Sequence, residues 1–472
     1  MLANNSAVTS LLPHQSAAVE KLRGLKVGAL FMDMGTGKTR TAIDIALRRV
    51  GRIKRVVWFT LVSLKETVQY EIKKHTTASD SDIYMFDDKT TDITLPEAAW
   101  YIIGLESLSG STRVMLAANV AITEDSMVIV DESNYIKGNF AKRTRRVTTL
   151  ACKARYRLIL TGTPISQGVQ DLYSQMYFLS PKILGYNSWY SFARNHLEYS
   201  DKYLGQIVAA HNTEWLAAKI APYTYQVTKD ECLNLPEKLH ENYCCFLSNE
   251  QIEQYSLAKK EFEEEMLRMD DGRQFLPSLP IFKLFTGLQS IVCGFVGRAN
   301  GVLALKHNRL HLLTTALAAI SPGEHVVVWA KYHFCREEIS EAIQDRPVYQ
   351  YHGRVNERQR HHELQRWRKN GGMLIATQDA GGHGLDLTDA CQVIFYANGF
   401  KYSTRIQAED RFHRIGQTRP VTYIDLWADC GIERRIENAI IRKGNAVEDF
   451  RREVDAVKTE RKGAIKKLLE RL

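Results

Sequence analysis

The chain has 472 residues, too many for a single hydrophobic core and enough for about two or three domains. Its 44% apolar and 25% charged residues are ordinary for a globular protein, and no apolar run approaches the length of a membrane-spanning helix. A formal charge of +9 and an isoelectric point near 9.0 favour a polyanionic partner without distinguishing DNA, RNA or an acidic protein.

The N-terminus, MLANNSAVTSLLPHQ, lacks the basic-then-apolar plan of a secretory signal, so the chain is expected to stay in the cytoplasm or a nucleoid-like compartment. Eight scattered cysteines include no C-x-x-C pair and no histidine spacing suited to zinc, and reduced, mostly buried thiols are expected. Leu12-Pro13-His14-Gln15 then opens a helical pattern through Val19 and Leu22. Alone Gln15 would read as a surface glutamine; its place just upstream of a phosphate loop favours recognition of an adenine edge, which an amide that both donates and accepts would suit.

Val27 to Phe31 reads as a buried strand, and Gly35-Thr36-Gly37-Lys38-Thr39 bends it into an amphipathic helix carrying Ile43, Ile45 and Leu47. This is the pattern of a phosphate-binding loop. Glycines let backbone N–H groups approach phosphate oxygens that a side chain would block. Gly35, Thr36, Gly37, Lys38, Thr39 and Arg40 are the expected nucleotide contacts, Lys38 neutralising the β and γ phosphates and Thr39 coordinating Mg²⁺. An earlier glycine of the commonest pattern is replaced by Met32.

Val56 to Leu61 is a second buried strand, followed by a helix from Ser63 through Ile72, and residues 101–108 supply a third strand and its exit. Met127-Val128-Ile129-Val130 ends in Asp131 and Glu132. Adjacent acids at a strand end need a cation or a reaction to serve if they are buried. By itself an Asp-Glu pair reads as a solvated turn; alongside Lys38 it reads as Asp131 holding Mg²⁺ and Glu132 activating the attacking water. Arg157 to Leu160 leads into Thr161-Gly162-Thr163-Pro164, a turn that could relay the state of the nucleotide.

Residues 182–310 lose the strand-helix alternation; Gln251 to Met269 reads as an amphipathic helix, and residues 270–280 as a break. From His311 the alternation returns, with strands expected at 326–329, 347–351, 373–376, 392–396 and 421–427 and hence a second parallel sheet. It has no phosphate loop of its own. It carries Gln407, Arg411 and Arg414 on a helix-like segment, where the two arginines, three apart, would share one face. Guanidinium groups suit a γ-phosphate whose charge grows in the transition state, although a solvated basic helix would carry the same residues. After Arg434 basic residues alternate with Val454, Val457, Ile465, Leu468 and Leu469, the pattern of a helix packed on the second lobe or of a basic helix that binds a polyanion.

The ordered set MGTGKT (34–39), VIVDES (128–133), LTGTP (160–164), ATQDAGGHGLDL (376–387) and QAEDRFHRIGQ (407–417) resembles the Swi/Snf-like branch of superfamily 2 helicases, with DESNYIK and DLYSQMYFLSP as narrowing details. The resemblance implies an α/β fold of two RecA-like parallel-sheet lobes: residues 1–181, helical protrusions and linker at 182–310, a second lobe at 311–436 bearing arginine fingers, and a basic tail at 437–472. It implies an ATP- and Mg²⁺-dependent, DNA-stimulated ATPase, the catalytic residues it implies being Lys38, Asp131, Glu132, Gln407, Arg411 and Arg414. The partner it implies is duplex or branched DNA, with the chain acting as a monomer on forks or junctions in replication, recombination or repair. By family position the track contacts are the loop after Val62, Lys137, His352-Gly353-Arg354 and Gly381-Gly382-His383-Gly384. Asn134, Val68, Asp386 and Phe400-Lys401-Tyr402 depart from the family pattern, and the compact chain looks more like bacterial or phage members, which places it in a bacterial cell or a phage-infected host. An RNA helicase and a non-translocating, nucleotide-gated DNA clamp are the alternatives.

Overall fold

The computed structural model describes residues 2–165, 168–200, 207–268, 278–298, 301–378, 385–457 and 468–472. The chain divides into two compact units, Met1–Asn234 and Leu235–Leu472.

In the first unit the strands are β1 (Val27–Met32), β2 (Arg55–Thr60), β3 (Ile83–Met85), β4 (Trp100–Gly104), β5 (Ser126–Val130), β6 (Tyr156–Thr161), a small antiparallel hairpin of β7 (Leu197–Tyr199) and β8 (Ile207–Ala210), and β9 (Thr224–Val227). All but the hairpin join one sheet in the order β3-β4-β2-β5-β6-β1-β9, every pairing parallel. Alternate residues of each strand enter different cores. Leu30, Trp58, Ile102 and Ile129 pack with Val19, Ile43 and Val68 on one face. Phe31, Phe59, Ile103 and Val130 pack with Val114, Val147 and Met176 on the other. Helices therefore cover both faces, and this is why the strands read as continuous apolar runs.

The second unit contributes β10 (Lys238–Cys245), a hairpin of β11 (Phe295–Arg298) and β12 (Gly301–Ala304), β13 (His325–Trp329), β14 (Val348–Tyr351), β15 (Gly372–Ala376), β16 (Gln392–Phe395) and β17 (Val421–Ala428). Its sheet runs β10-β17-β16-β13-β15-β14 and is again wholly parallel. Val326 and Val328 enter one core, Val327 and Trp329 the opposite one. The α/β architecture with two parallel-sheet lobes is as expected.

The boundaries differ from the sequence reading. Residues 182–310 are not a separate block of protrusions: β9 completes the first sheet, and β10 forms an edge of the second. Neither strand was anticipated, because β9 has only four residues and β10, KLHENYCC, is mostly solvent-facing and lacks an apolar run. The helix Asn249–Arg268 is present as expected, and it packs through Tyr255 and Phe262 against Ile281, Phe285, Phe450, Val454, Leu468 and Leu469. The C-terminal segment thus belongs to a core of the second unit rather than forming a free basic arm. Ile465 and residues 270–277 lie outside the described residues. All eight cysteines are free thiols, four of them buried, and no helix among the described residues is long and apolar enough to cross a membrane.

Candidate nucleotide site and the arginine turn of the second unit

Three loops leave the carboxyl ends of β1, β5 and β6, which are near neighbours in the first sheet, and ligands of open parallel sheets bind at that edge. After β1 the chain turns through Gly35 (φ 81°) and Gly37 (φ 85°), the latter immediately before the helix Lys38–Leu47. Gly37 is required twice over: its φ is left-handed, and a Cβ there would lie 2.1 Å from Gln15 Nε2.

The turn is braced from outside. The carbonyl of Thr36 accepts from His14 Nε2 at 2.8 Å and from Gln15 Nε2 at 3.2 Å, while Gln15 Oε1 accepts from the Leu12 N–H at 3.0 Å. A carboxamide has two N–H groups and two lone pairs, so one of each remains on Gln15 for a base. His14 was not singled out in the sequence, where only its place beside Gln15 signals it. Thr36 Oγ1 donates to the Asp33 carbonyl at 2.7 Å. Lys38 Nζ donates to the carbonyls of Met32 (2.8 Å) and Asp33 (3.0 Å), so its ammonium lies across the loop. Thr39 follows in the first turn of the helix and is half-buried.

Arg40, expected among the nucleotide contacts, is committed elsewhere. It donates through Nε to Thr9 Oγ1 (2.9 Å) and through its terminal nitrogens to Thr9 O (2.6 Å) and Asp44 (3.3 Å). Its guanidinium anchors the N-terminal segment to the helix that follows the loop.

Asp131 and Glu132 are both buried at the end of β5. Burial pushes the Asp131 carboxyl up to about 7, with the neighbouring Glu132 charge adding to the rise and Lys38 opposing it. Glu132 has φ 47°, a left-handed conformation costly for a side-chain-bearing residue, and its N–H donates to Asp131 Oδ1 at 3.0 Å. The buried Asp131, whose charge interacts with Lys38, and the Thr39 hydroxyl are oxygen donors that fit a divalent cation.

One link was not legible in the sequence. Gln175, fully buried in the helix Gln170–Leu179, accepts from Ser133 Oγ at 2.6 Å and donates to the carbonyls of Pro164 and Asp171 at 2.8 Å each. It ties the loop after the acidic pair to the Thr161-Gly162-Thr163-Pro164 turn. Its only sequence signal is a glutamine one turn after Asp171 in a helix rich in apolar residues. The neighbouring Asn134 keeps a buried Oδ1 with no hydrogen-bond partner among the described residues.

In the second unit the helix Tyr402–Glu409 includes Gln407 and ends before Arg411 and Arg414. The two arginines therefore do not share a helical face, and the expectation is corrected: they sit in the turn that follows. Arg411 is buried and donates through Nε to the Gln407 carbonyl at 3.2 Å; Arg414 is half-buried, and its Nε finds no hydrogen-bond partner among the described residues. The turn is held by Gln417, whose amide donates to the carbonyls of Thr388 (3.1 Å) and Ala390 (3.3 Å), and by His413 on the Pro236 carbonyl (2.8 Å). Beneath it Arg405 binds Glu409 (2.8 Å) and Asp425 (2.8 Å) and lies 3.5 Å from the centre of the Phe395 ring.

Of the expected track residues, Lys137 pairs with Asp171 (3.4 Å), and the Val62 N–H donates to Glu106 (2.9 Å). His352 is pushed down to about 4 by burial and then by the charges of Arg336, His333, Arg354 and Arg360, a cationic cluster suited to a polyanion. The turn 381–384 lies outside the described residues. Asp386 caps its own turn by accepting from Thr388 N–H (3.1 Å) and Oγ1 (2.9 Å), and Phe400 packs on Phe285 under Lys331.

Two parallel-sheet units, the first with a phosphate loop and a paired-acid strand end, define a nucleotide-binding protein of the helicase type. A family model described as SNF2-related domain matches residues 14–293, and one described as helicase conserved C-terminal domain matches residues 308–416. The chain belongs to the SNF2-related family. It is 23% identical over 450 residues to an ATP-dependent helicase of Mycoplasma pneumoniae, covering 91% of this chain and 41% of that protein. It is 24% identical over 426 residues to the human DNA annealing helicase and endonuclease ZRANB3, covering 87% of this chain and 37% of that protein. The chain therefore spans about two fifths of these relatives' length. Among solved structures, the Sulfolobus solfataricus SWI2/SNF2 ATPase core in complex with dsDNA aligns over 93% of this chain and 92% of that one, with a TM-score of 0.43 and 23% identity.

Proposed function

We infer that the chain is an ATP-dependent translocase on duplex or branched DNA, acting at forks or junctions. The observation that supports this reading best is the pairing of Lys38, laid across a glycine turn, with the buried Asp131 and Glu132 in a member of the SNF2-related family. Lys38 releases the Met32 and Asp33 carbonyls to bind the β and γ phosphates; the loop N–H groups hold the remaining oxygens. Glu132 takes the proton of the attacking water. Thr39 and Asp131 would hold Mg²⁺, which would supply positive charge to the phosphate oxygens. Arg411 and Arg414 stabilise the charge that grows on the γ-phosphate. Gln15 reads the base.

The relatives' names support ATP-dependent helicase chemistry, and that of ZRANB3 supports DNA as polymer. Contacts to phosphates rather than bases make the grip insensitive to sequence and weakened by salt. The test is ATP turnover measured with no polymer, single strands, duplexes, forks, four-way junctions and RNA. Duplex and branched DNA should raise the rate; a rate indifferent to DNA, or raised by RNA alone, refutes the reading.

A further inference from the structure

The chain's charge is unevenly placed. Residues 133–197 contain ten lysines and arginines and a single carboxylate, Asp171, so this 65-residue window carries a formal charge equal to the whole chain's +9. Asp171 is buried and paired with Lys137. The surplus gathers at the start of the helix Lys142–Ala151, where Lys142, Arg143, Arg145 and Arg146 occupy four of the first five positions and no acid stands in the first turn. Cations at a helix N-terminus oppose the helix dipole, so this arrangement costs stability and needs another reason.

Exposed aromatics stand beside it. Phe140 and Tyr190 are 57% and 73% exposed, with ring centroids 6.3 Å apart, and the Arg145 guanidinium lies 5.7 Å from the centre of the Phe140 ring. Tyr190 lies on the helix Trp189–His196 with Arg194 one turn on, also exposed. Arg146 is occupied by the carbonyls of Leu108 and Ser111. Lys142, Arg145 and Arg194 have no carboxylate partner among the described residues.

Cations flanking exposed rings are the chemistry of single-strand binding: phosphates meet the charges, and unpaired bases stack on the rings. A paired base presents no free face. We propose that Phe140, Tyr190, Lys142, Arg145 and Arg194 form a binding surface for an unpaired DNA strand on the first unit, separate from the nucleotide loop. It deepens the translocase reading by assigning the single-stranded arm of a branched substrate, and rests on that reading only in taking DNA as the polymer.

The full chain is titrated without ATP against labelled oligothymidylate, an abasic strand of equal length and a blunt duplex, and anisotropy is recorded. Phe140→Ala and Tyr190→Ala should each weaken oligothymidylate binding about tenfold, and the abasic strand and the duplex less than about twofold. Phe140→Leu should fail to restore binding and Phe140→Trp should restore it. Lys142→Ala and Arg145→Ala should lower the salt dependence on both single strands. Binding of a fluorescent ATP analogue at wild-type affinity establishes that each variant is folded. Oligothymidylate binding unchanged in the Phe140→Ala/Tyr190→Ala double variant overturns the proposal, as does an equal loss on duplex or abasic strand. Failure of DNA to stimulate hydrolysis would remove the translocase reading and leave this ATP-free equilibrium to report on the surface alone.

Discussion

Glu132 and Asp131 show how one position can be costly for the fold and needed for the chemistry. Glu132→Gln keeps the shape of the side chain but not its basicity, so turnover should fall about 10²- to 10⁴-fold with ATP affinity retained. Single-turnover hydrolysis and equilibrium ATP binding check this, and wild-type turnover would remove Glu132 as the base. The Asp131 carboxyl is raised from 3.8 to about 7, so its ionisation destabilises the folded protein. That penalty is absent below the unfolded value, grows as pH rises through the interval and is complete above about 7. Asp131→Asn should accordingly raise the melting temperature of the nucleotide- and Mg²⁺-free protein at pH 8, with the gain shrinking toward pH 4, while abolishing hydrolysis. A melting temperature lowered at pH 8 would contradict the burial argument. These residues were legible in the sequence because strand, glycine turn and acids are each contiguous. The commitment of Arg40 to Thr9 and Asp44 was not, since its partner Thr9 lies thirty-one positions away.

At the level of elements, the helix Gln170–Leu179 connects two loops that sequence order separates. Gln175→Met keeps the volume but strips both amide functions, leaving Ser133 Oγ and the Pro164 carbonyl without their partner, at about 1–3 kcal/mol for a buried unsatisfied group. Ser133→Ala/Gln175→Met should recover part of that loss, with a coupling of about 1 kcal/mol in chemical denaturation. Strict additivity of the two substitutions would mean that the observed hydrogen bond carries no energy. The strands β1, β2, β4, β5 and β6 were all readable from apolar runs, since burial on both faces imposes that composition. The turn carrying Arg411 and Arg414 was misread as helix because an (i, i+3) spacing cannot show where a helix stops; the last helical residue is Glu409.

Across the whole molecule, the chain forms two units of nearly equal length, divided after Asn234. The second unit's extra core draws on residues as distant as Tyr255 and Leu469, and the Tyr255 hydroxyl donates to the Leu472 carbonyl at 2.6 Å. Leu469→Ala should therefore cost about 2–5 kcal/mol of stability in that unit, seen as a lowered denaturation midpoint, with little change in DNA affinity. The reverse pattern, weaker DNA binding at unchanged stability, would restore the free-arm interpretation of the tail. Arg414→Ala should lower DNA-stimulated turnover about 10³- to 10⁵-fold with ATP still bound, the size expected for an arginine finger. Turnover within a few-fold of wild type would assign its half-buried guanidinium to structure alone.

By itself the sequence determined the order of buried strands, the phosphate loop, the paired acids and the QAEDRFHRIGQ segment, because each is written in consecutive residues whose chemistry is local. Tertiary structure alone decided that β9 and β10 complete the two sheets, that Gln175 bridges two loops, and that Phe140 meets Tyr190. Each of these depends on partners brought together by packing, and side chains fifty residues apart carry no mark in the sequence of the neighbour they will find.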